Sequence, residues 1–111
     1  MIPHDLRVEL AGIPEHELRK LGSFQGCTVG LVRLSGPTHW ERHPAQELLH
    51  VLEGEIEIRT RAEDGLGSVR LRAGSVFIVP EGLWHHVVGL PDAALFFLTP
   101  SEGSEHREAD P

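Results

Sequence analysis

The densest chemistry in the chain lies in one stretch, HWERHPAQELLHVLEG, residues 39–54, which holds three histidines and three glutamates. Imidazole is the commonest protein metal ligand, and carboxylates join it at iron, manganese and zinc. The chemistry depends on whether these side chains meet at one point. Two backbone periods compete for His39, Glu41 and His43. On a helix, His39 and His43 would share a face at i and i+4. Gly36-Pro37 before the segment and Pro44 after it oppose that, because a residue preceding proline is pushed out of the helical region. The glutamate is also misplaced for a zinc-protease helix. On a strand, His39, Glu41 and His43 all point the same way, each about 6.8 Å from the next. Metal bonds of about 2 Å let such neighbours lean onto one ion. After the bend at Pro44-Ala45, Glu47 opens the next strand and can face the same interior. A further donor must come from elsewhere in the sheet.

The elements that position these residues are mostly strands. FQGCTVGLVRLSG, residues 24–36, is apolar and β-branched and ends at Gly36-Pro37. EIEIRTR, residues 55–61, alternates strictly, with Ile56 and Ile58 on one face and Glu55, Glu57, Arg59 and Arg61 on the other. EDGLG makes a turn, and SVRLR turns Val69 and Leu71 inward and Arg70 and Arg72 outward, where the arginines face Glu55 and Glu57. AGSVFIVPEG, WHHVVGL and AALFFLTP complete the set. One short helix is expected over IPEHELRKLG, residues 13–22, from Pro14 in its first turn, early glutamates, late basic residues and Gly22. Many short strands with regular turns predict an all-β, single-domain antiparallel sandwich or barrel.

The segment 43–89 resembles the two motifs of the cupin family. The first block reads His43-x3-Glu47-x6-Gly54. The second reads Gly74-x5-Pro80-x-Gly82-x2-His85. The likeness covers residues 36–89, about half of the chain. It implies a small antiparallel β-barrel or jelly roll with one divalent metal inside (Fe, Mn, Ni or Zn), held by His43, Glu47 and His85. Two positions depart from the family pattern. Glu41 stands in the slot of the first-block histidine, and Gly89 stands where asparagine is usual. Glu41 is the expected fourth donor, with His39 as the alternative. If His39 coordinates, Glu41 becomes a free carboxylate beside the ion, placed as a catalytic base.

The expected organisation is residues 1–22 packing on the barrel, a barrel over 23–100, and an acidic, disordered tail over 101–111 carrying Glu102, Glu105, Glu108 and Asp110. No role is expected for His4, His16 or His106. His50 and His86 should face away from the cluster, as should Trp40 and Trp84. Those rings need cover, from the N-terminal segment or from the second subunit of a homodimer. The cavity walls are expected among Leu49, Val51, Val76, Ile78, Val87, Phe96 and Leu98. A formal net charge of −7 opposes nucleic acid as a partner. Apolar runs are too short to span a membrane as a helix. The single cysteine and the lack of an apolar leader predict a cytoplasmic location. Two functions fit. One is a metal-dependent enzyme of oxygenase or isomerase type acting on a small organic molecule. The other is a non-catalytic sensor or storage barrel.

Overall fold

In a computed structural model, which describes residues 2–111, eight antiparallel strands form one curled sheet, as the alternation predicts. The elements are α1 (Leu6–Ala11), β1 (Leu18–Phe24), β2 (Cys27–Pro37), β3 (Trp40–Arg42), β4 (Glu47–Ala62), β5 (Gly65–Arg72), β6 (Val76–Val79), β7 (Trp84–Pro100) and β8 (Glu105–Arg107). The long strands β4 and β7 pair with each other, and β7 also pairs with β2 and β3.

The helix lies elsewhere than residues 13–22. Asp5 caps α1 by accepting from the backbone N–H of Arg7 (3.0 Å) and Val8 (3.4 Å). His16 then adopts φ +61°, which ends any helical continuation, and residues 18–24 pair with β2 instead. Sheet pairing outweighed a weak local preference. Leu10 and Ile13 pack with Leu31 and Ala94 on the outer face, so the N-terminal segment does cover the sheet. The sheet itself begins at Leu18 rather than at residue 23.

The inner face carries the main core, with Leu34, Leu49, Val51, Ile56, Ile58, Val87, Leu95 and Phe97 buried. The pairing of β7 is interrupted between Gly89 and Asp92, but the two residues passed over there keep parity, so Leu95, Phe97 and Thr99 share the face of His85 and Val87. Phe96 and Leu98, expected on the cavity wall, therefore point outward, and Phe96 packs on the N-terminal cluster. Register reverses the assignment in β6 as well. Phe77 pairs with Leu49 and Val79 with Glu47, which leaves Val76 and Ile78 52 % and 44 % exposed. Val51 is buried in the core. On the outer face Arg70 of β5 pairs with Glu55 of β4 across the strands, as expected, whereas Arg59 pairs with Glu57 along β4 itself.

One further expectation changes. The tail is not free: β8 pairs with β3, with Trp40 opposite Arg107, Glu41 opposite His106 and Arg42 opposite Glu105. It also packs against both outward indole rings. Trp40 is 6 % exposed, lies 4.3 Å from the His86 ring, and donates its indole N–H to Asp110 (3.0 Å). Trp84 lies under the guanidinium groups of Arg42 and Arg107. Ion pairs and two indole anchors hold a segment too polar to build a core of its own.

The curl brings distant positions together. Along the β4–β7 ladder Leu48 pairs with Leu98, whereas His85 pairs with Thr60. In a flat sheet, positions 47 and 60 of β4 would stand about 43 Å apart. Yet Glu47 Oε1 is 3.0 Å from His85 Nε2. The register shifts between Val51 and Glu53 and between Gly54 and Ile56 mark where the ladder bends. Gly54, at φ +76°, fits this bend because a Cβ there would lie 2.2 Å from the Asp92 carbonyl oxygen.

Candidate metal centre

Four side chains converge inside the curl. Glu41, His43, Glu47 and His85 each offer one donor atom, and these atoms all lie within 4.8 Å of one another. Glu41 comes from β3, His43 from the turn that follows, Glu47 from the start of β4 and His85 from β7. Glu41 and His85 are direct cross-strand partners, which places both on the inner face. His43, Glu47 and His85 are buried, and Glu41 is partly open. His39 is exposed and stands outside the set. Of the two alternatives for the fourth position, the structure brings Glu41 to the cluster.

The two imidazoles are aimed by their other nitrogens. His85 Nδ1 is 3.0 Å from the Leu83 carbonyl oxygen. A carbonyl only accepts, so Nδ1 carries the hydrogen, and Nε2 points inward at Glu47. His43 Nδ1 lies 2.7 Å from the Ser104 hydroxyl. Its Nε2 faces Glu47 Oε2 at 3.3 Å and Glu41 Oε1 at 3.5 Å. These contacts are too poorly aligned for hydrogen bonds, and His43 Nε2 is buried without a partner among the described residues. Glu47 is held from its other side by the Thr99 hydroxyl, which donates to Oε2.

Electrostatics inside the cluster are set by its two carboxylates. Burial opposes charge on the His43 ring, but Glu41 and Glu47 outweigh it and raise the pKa from 6.5 to about 9. Burial likewise opposes charge on Glu47, and its neighbours His43, His85 and Thr99 prevail, lowering its pKa to about 2. His85 is raised despite its burial, chiefly by Glu47. The cluster therefore favours positive charge at its centre. Two carboxylates and two imidazoles with inward Nε2 atoms suit a divalent ion, and the unpartnered His43 Nε2 is the atom such an ion would satisfy.

Glu41 and Glu47 also line a cavity of about 560 Å³. Its walls include Val32, Leu34, Leu49, Val87, Leu95 and Phe97. Of the expected wall residues, Leu49 and Val87 are in place. No lysine or arginine lines it among the described residues. His39 and His106 are exposed members of its lining.

Sequence reasoning missed three polar residues here. Ser104, Thr99 and His106 each touch a member of the cluster; His106 Nε2 is 3.2 Å from Glu41 Oε2. Thr99 could have been found from β7 parity, since it falls on the His85 face. Ser104 and His106 carry no local signal, for their partners lie 61 and 65 positions away.

A curled antiparallel barrel with a histidine–carboxylate cluster inside defines a small β-barrel protein with a candidate metal centre. The chain belongs to the cupin family: residues 32–99 match the Cupin_2 cupin domain. Solved structures agree with the fold. A cupin-2 domain protein from Shewanella frigidimarina is 19 % identical, with a TM-score of 0.76, covering 87 % of this chain and 93 % of its own. A Neisseria meningitidis protein is 25 % identical, with a TM-score of 0.77, covering 90 % of this chain and 100 % of its own. A hydroquinone 1,2-dioxygenase from Sphingomonas sp. TTNP3, solved with 4-hydroxybenzoate bound, is 17 % identical, with a TM-score of 0.70 over 93 % of this chain and 81 % of its own. Comparison with curated protein sequences gives no match. No helix among the described residues is long and apolar enough to cross a membrane.

Proposed function

We propose that this protein holds one divalent metal ion through Glu41, His43, Glu47 and His85 and acts on a small, mostly apolar organic molecule in the adjoining cavity. One observation carries the reading: four ligand-type donors lie within 4.8 Å of one another, and two of them open onto an apolar cavity. A buried Glu47 needs positive charge beside it, which protons on the two imidazoles supply without metal and a divalent ion would supply in their place. When bound, a divalent ion supplies Lewis-acid polarisation, and a redox-active one supplies oxygen chemistry.

The chain's own residues do the remaining work. Leu83 and Ser104 orient the imidazoles, and Thr99 fixes Glu47. Val32, Leu34, Leu49 and Phe97 give a ligand an apolar bed and displace water from it. Without a lysine or arginine in its lining, the cavity favours a neutral molecule over a free carboxylate or phosphate. Glu41 faces both the cluster and the cavity, so its carboxylate is the group that meets a bound molecule next to the ion. It can take a proton there if it is released from the ion. This arrangement is compatible with oxygenase-type and with isomerase-type chemistry. The dioxygenase among the structural neighbours adds a precedent for the fold, and the cluster and cavity carry the argument.

Metal analysis of protein purified without an affinity tag tests the reading, followed by oxygen uptake with small phenols. About one ion per chain is expected, and its loss in His85→Ala. Metal without turnover of any candidate would leave a binding barrel. Absence of saturable metal uptake would refute the proposal.

A further inference from the structure

We infer that the C-terminal strand β8 and the residue before it are part of the metal centre, with Ser104 and His106 acting as positioning residues for His43 and Glu41. The inference rests on the metal-site reading above and extends it to a segment outside residues 32–99, where the family match lies.

The two imidazoles of the cluster are oriented from different sources. His85 is fixed locally, by the carbonyl of Leu83 two positions before it. His43 has no such local partner, and its Nδ1 is met by Ser104 at 2.7 Å. For Nε2 to offer its lone pair to an ion, Nδ1 must carry the hydrogen and donate it to the Ser104 hydroxyl. A hydroxyl can accept as well as donate, so Ser104 accommodates that tautomer and fixes the ring angle that a metal requires. Cross-strand pairing puts His106 opposite Glu41. Its Nε2 lies 3.2 Å from Glu41 Oε2, a close charge–dipole contact rather than an aligned hydrogen bond, while Glu41 Oε1 faces His43 Nε2 at 3.5 Å and His85 Nε2 at 3.7 Å. The carboxylate is divided, with one oxygen held by the tail and one left for the ion. A free Glu41 would sweep its rotamers through the open side of the cavity.

The segment is anchored independently of these two side chains. Glu105 pairs with Arg42, Arg107 stacks on Trp84, and Asp110 accepts from Trp40. Removing the Ser104 hydroxyl or the His106 ring therefore leaves β8 in place. That separation makes the inference testable, because orientation can be altered while the strand stays docked.

Cobalt(II) is the probe, since its visible absorption reports the donor set. Ser104→Ala and His106→Ala should each lower cobalt affinity about 10- to 100-fold, the usual effect of losing an outer partner that positions a ligand. Their metal-free melting temperatures should stay near that of the parent protein. At saturation the visible bands should shift, and Ser104→Thr and His106→Gln, which keep a hydroxyl and an amide donor, should restore most of the affinity and the parent spectrum. Parent protein that binds no cobalt removes the metal reading and this inference with it. Parent protein that binds cobalt, with alanine variants that match its affinity and spectrum, removes this inference alone. Lower affinity that tracks a lower metal-free melting temperature, with an unchanged spectrum at saturation, would make the tail merely structural and also overturn it.

Discussion

Metal uptake by this cluster must displace protons, and the size of the effect follows from the charges in it. In the metal-free protein His43 titrates at about 9, because Glu41 and Glu47 overcome the opposing effect of burial. At pH 7 its imidazole is then about 99 % protonated, two units below its pKa. An ion needs the neutral ring, so apparent affinity at pH 7 is reduced about 100-fold, or about 3 kcal/mol. Affinity should rise about tenfold per pH unit from pH 6.5 to 8.5 and level off above 9. The upward shift of His85 adds to the slope wherever the two titrations overlap. Chelator competition across this range measures the slope. Calorimetry at pH 7 in two buffers of different ionisation heat should show about one proton or more released per ion. The same charges set stability without metal. A raised His43 pKa contributes stability that is full below pH 6.5 and lost as pH climbs through about 9. A lowered Glu47 pKa contributes stability present above 4.5 and lost as pH falls through about 2. Metal-free protein should therefore melt lower at pH 9 than at pH 6.5, and saturating metal should reverse that order. A metal affinity that is flat from pH 6.5 to 8.5, with no buffer-dependent heat, would refute the argument that a proton stands in for the ion.

Three other outcomes are expected. Glu41→Gln should weaken metal binding at least tenfold whereas His39→Ala should leave it unchanged, by the same chelator competition; the reverse ranking would move the fourth donor to His39. Gly54→Ala should cost about 2 kcal/mol or more in chemical denaturation, since it adds a left-handed penalty of about 1–2 kcal/mol to a backbone clash with Asp92. Trp40→Ala should cost about 3–5 kcal/mol from its buried ring and the lost bond to Asp110, read by the same denaturation.

The strands were legible because their burial alternates: Ile56 and Ile58 in, Glu55 and Glu57 outward is a period that only a half-buried strand explains. Strand parity made Glu41 and His43 legible on one face, with Glu47 after the bend, whereas His85 was legible only through the likeness to the second cupin motif. Helix placement failed because Pro14 and the charges after it resemble a helix start, while the Asp5 cap that operates was overlooked. Cavity parity was illegible in β6 and in the second half of β7, because both faces of those strands carry apolar residues and the pairing of β7 is interrupted between Gly89 and Asp92. Tail order was illegible for a different reason. Its affinity for the barrel lies in single contacts with Trp40, Arg42 and Trp84, each more than 20 positions away, and composition alone reads such a segment as solvated.

Glu47 and His85 belong to opposite ends of one ladder, made neighbours only by the bend near Gly54. An ion held by both would be a removable cross-link that closes the sheet on itself. Its escape then requires the strand ends to part, or the donors to let go one at a time. Residence time of the ion becomes a measure of how often the curl opens. Metal dissociation and amide exchange along β3 and the start of β7 should share one rate-limiting motion, slow when the sheet is closed and fast when Gly54 is forced to straighten.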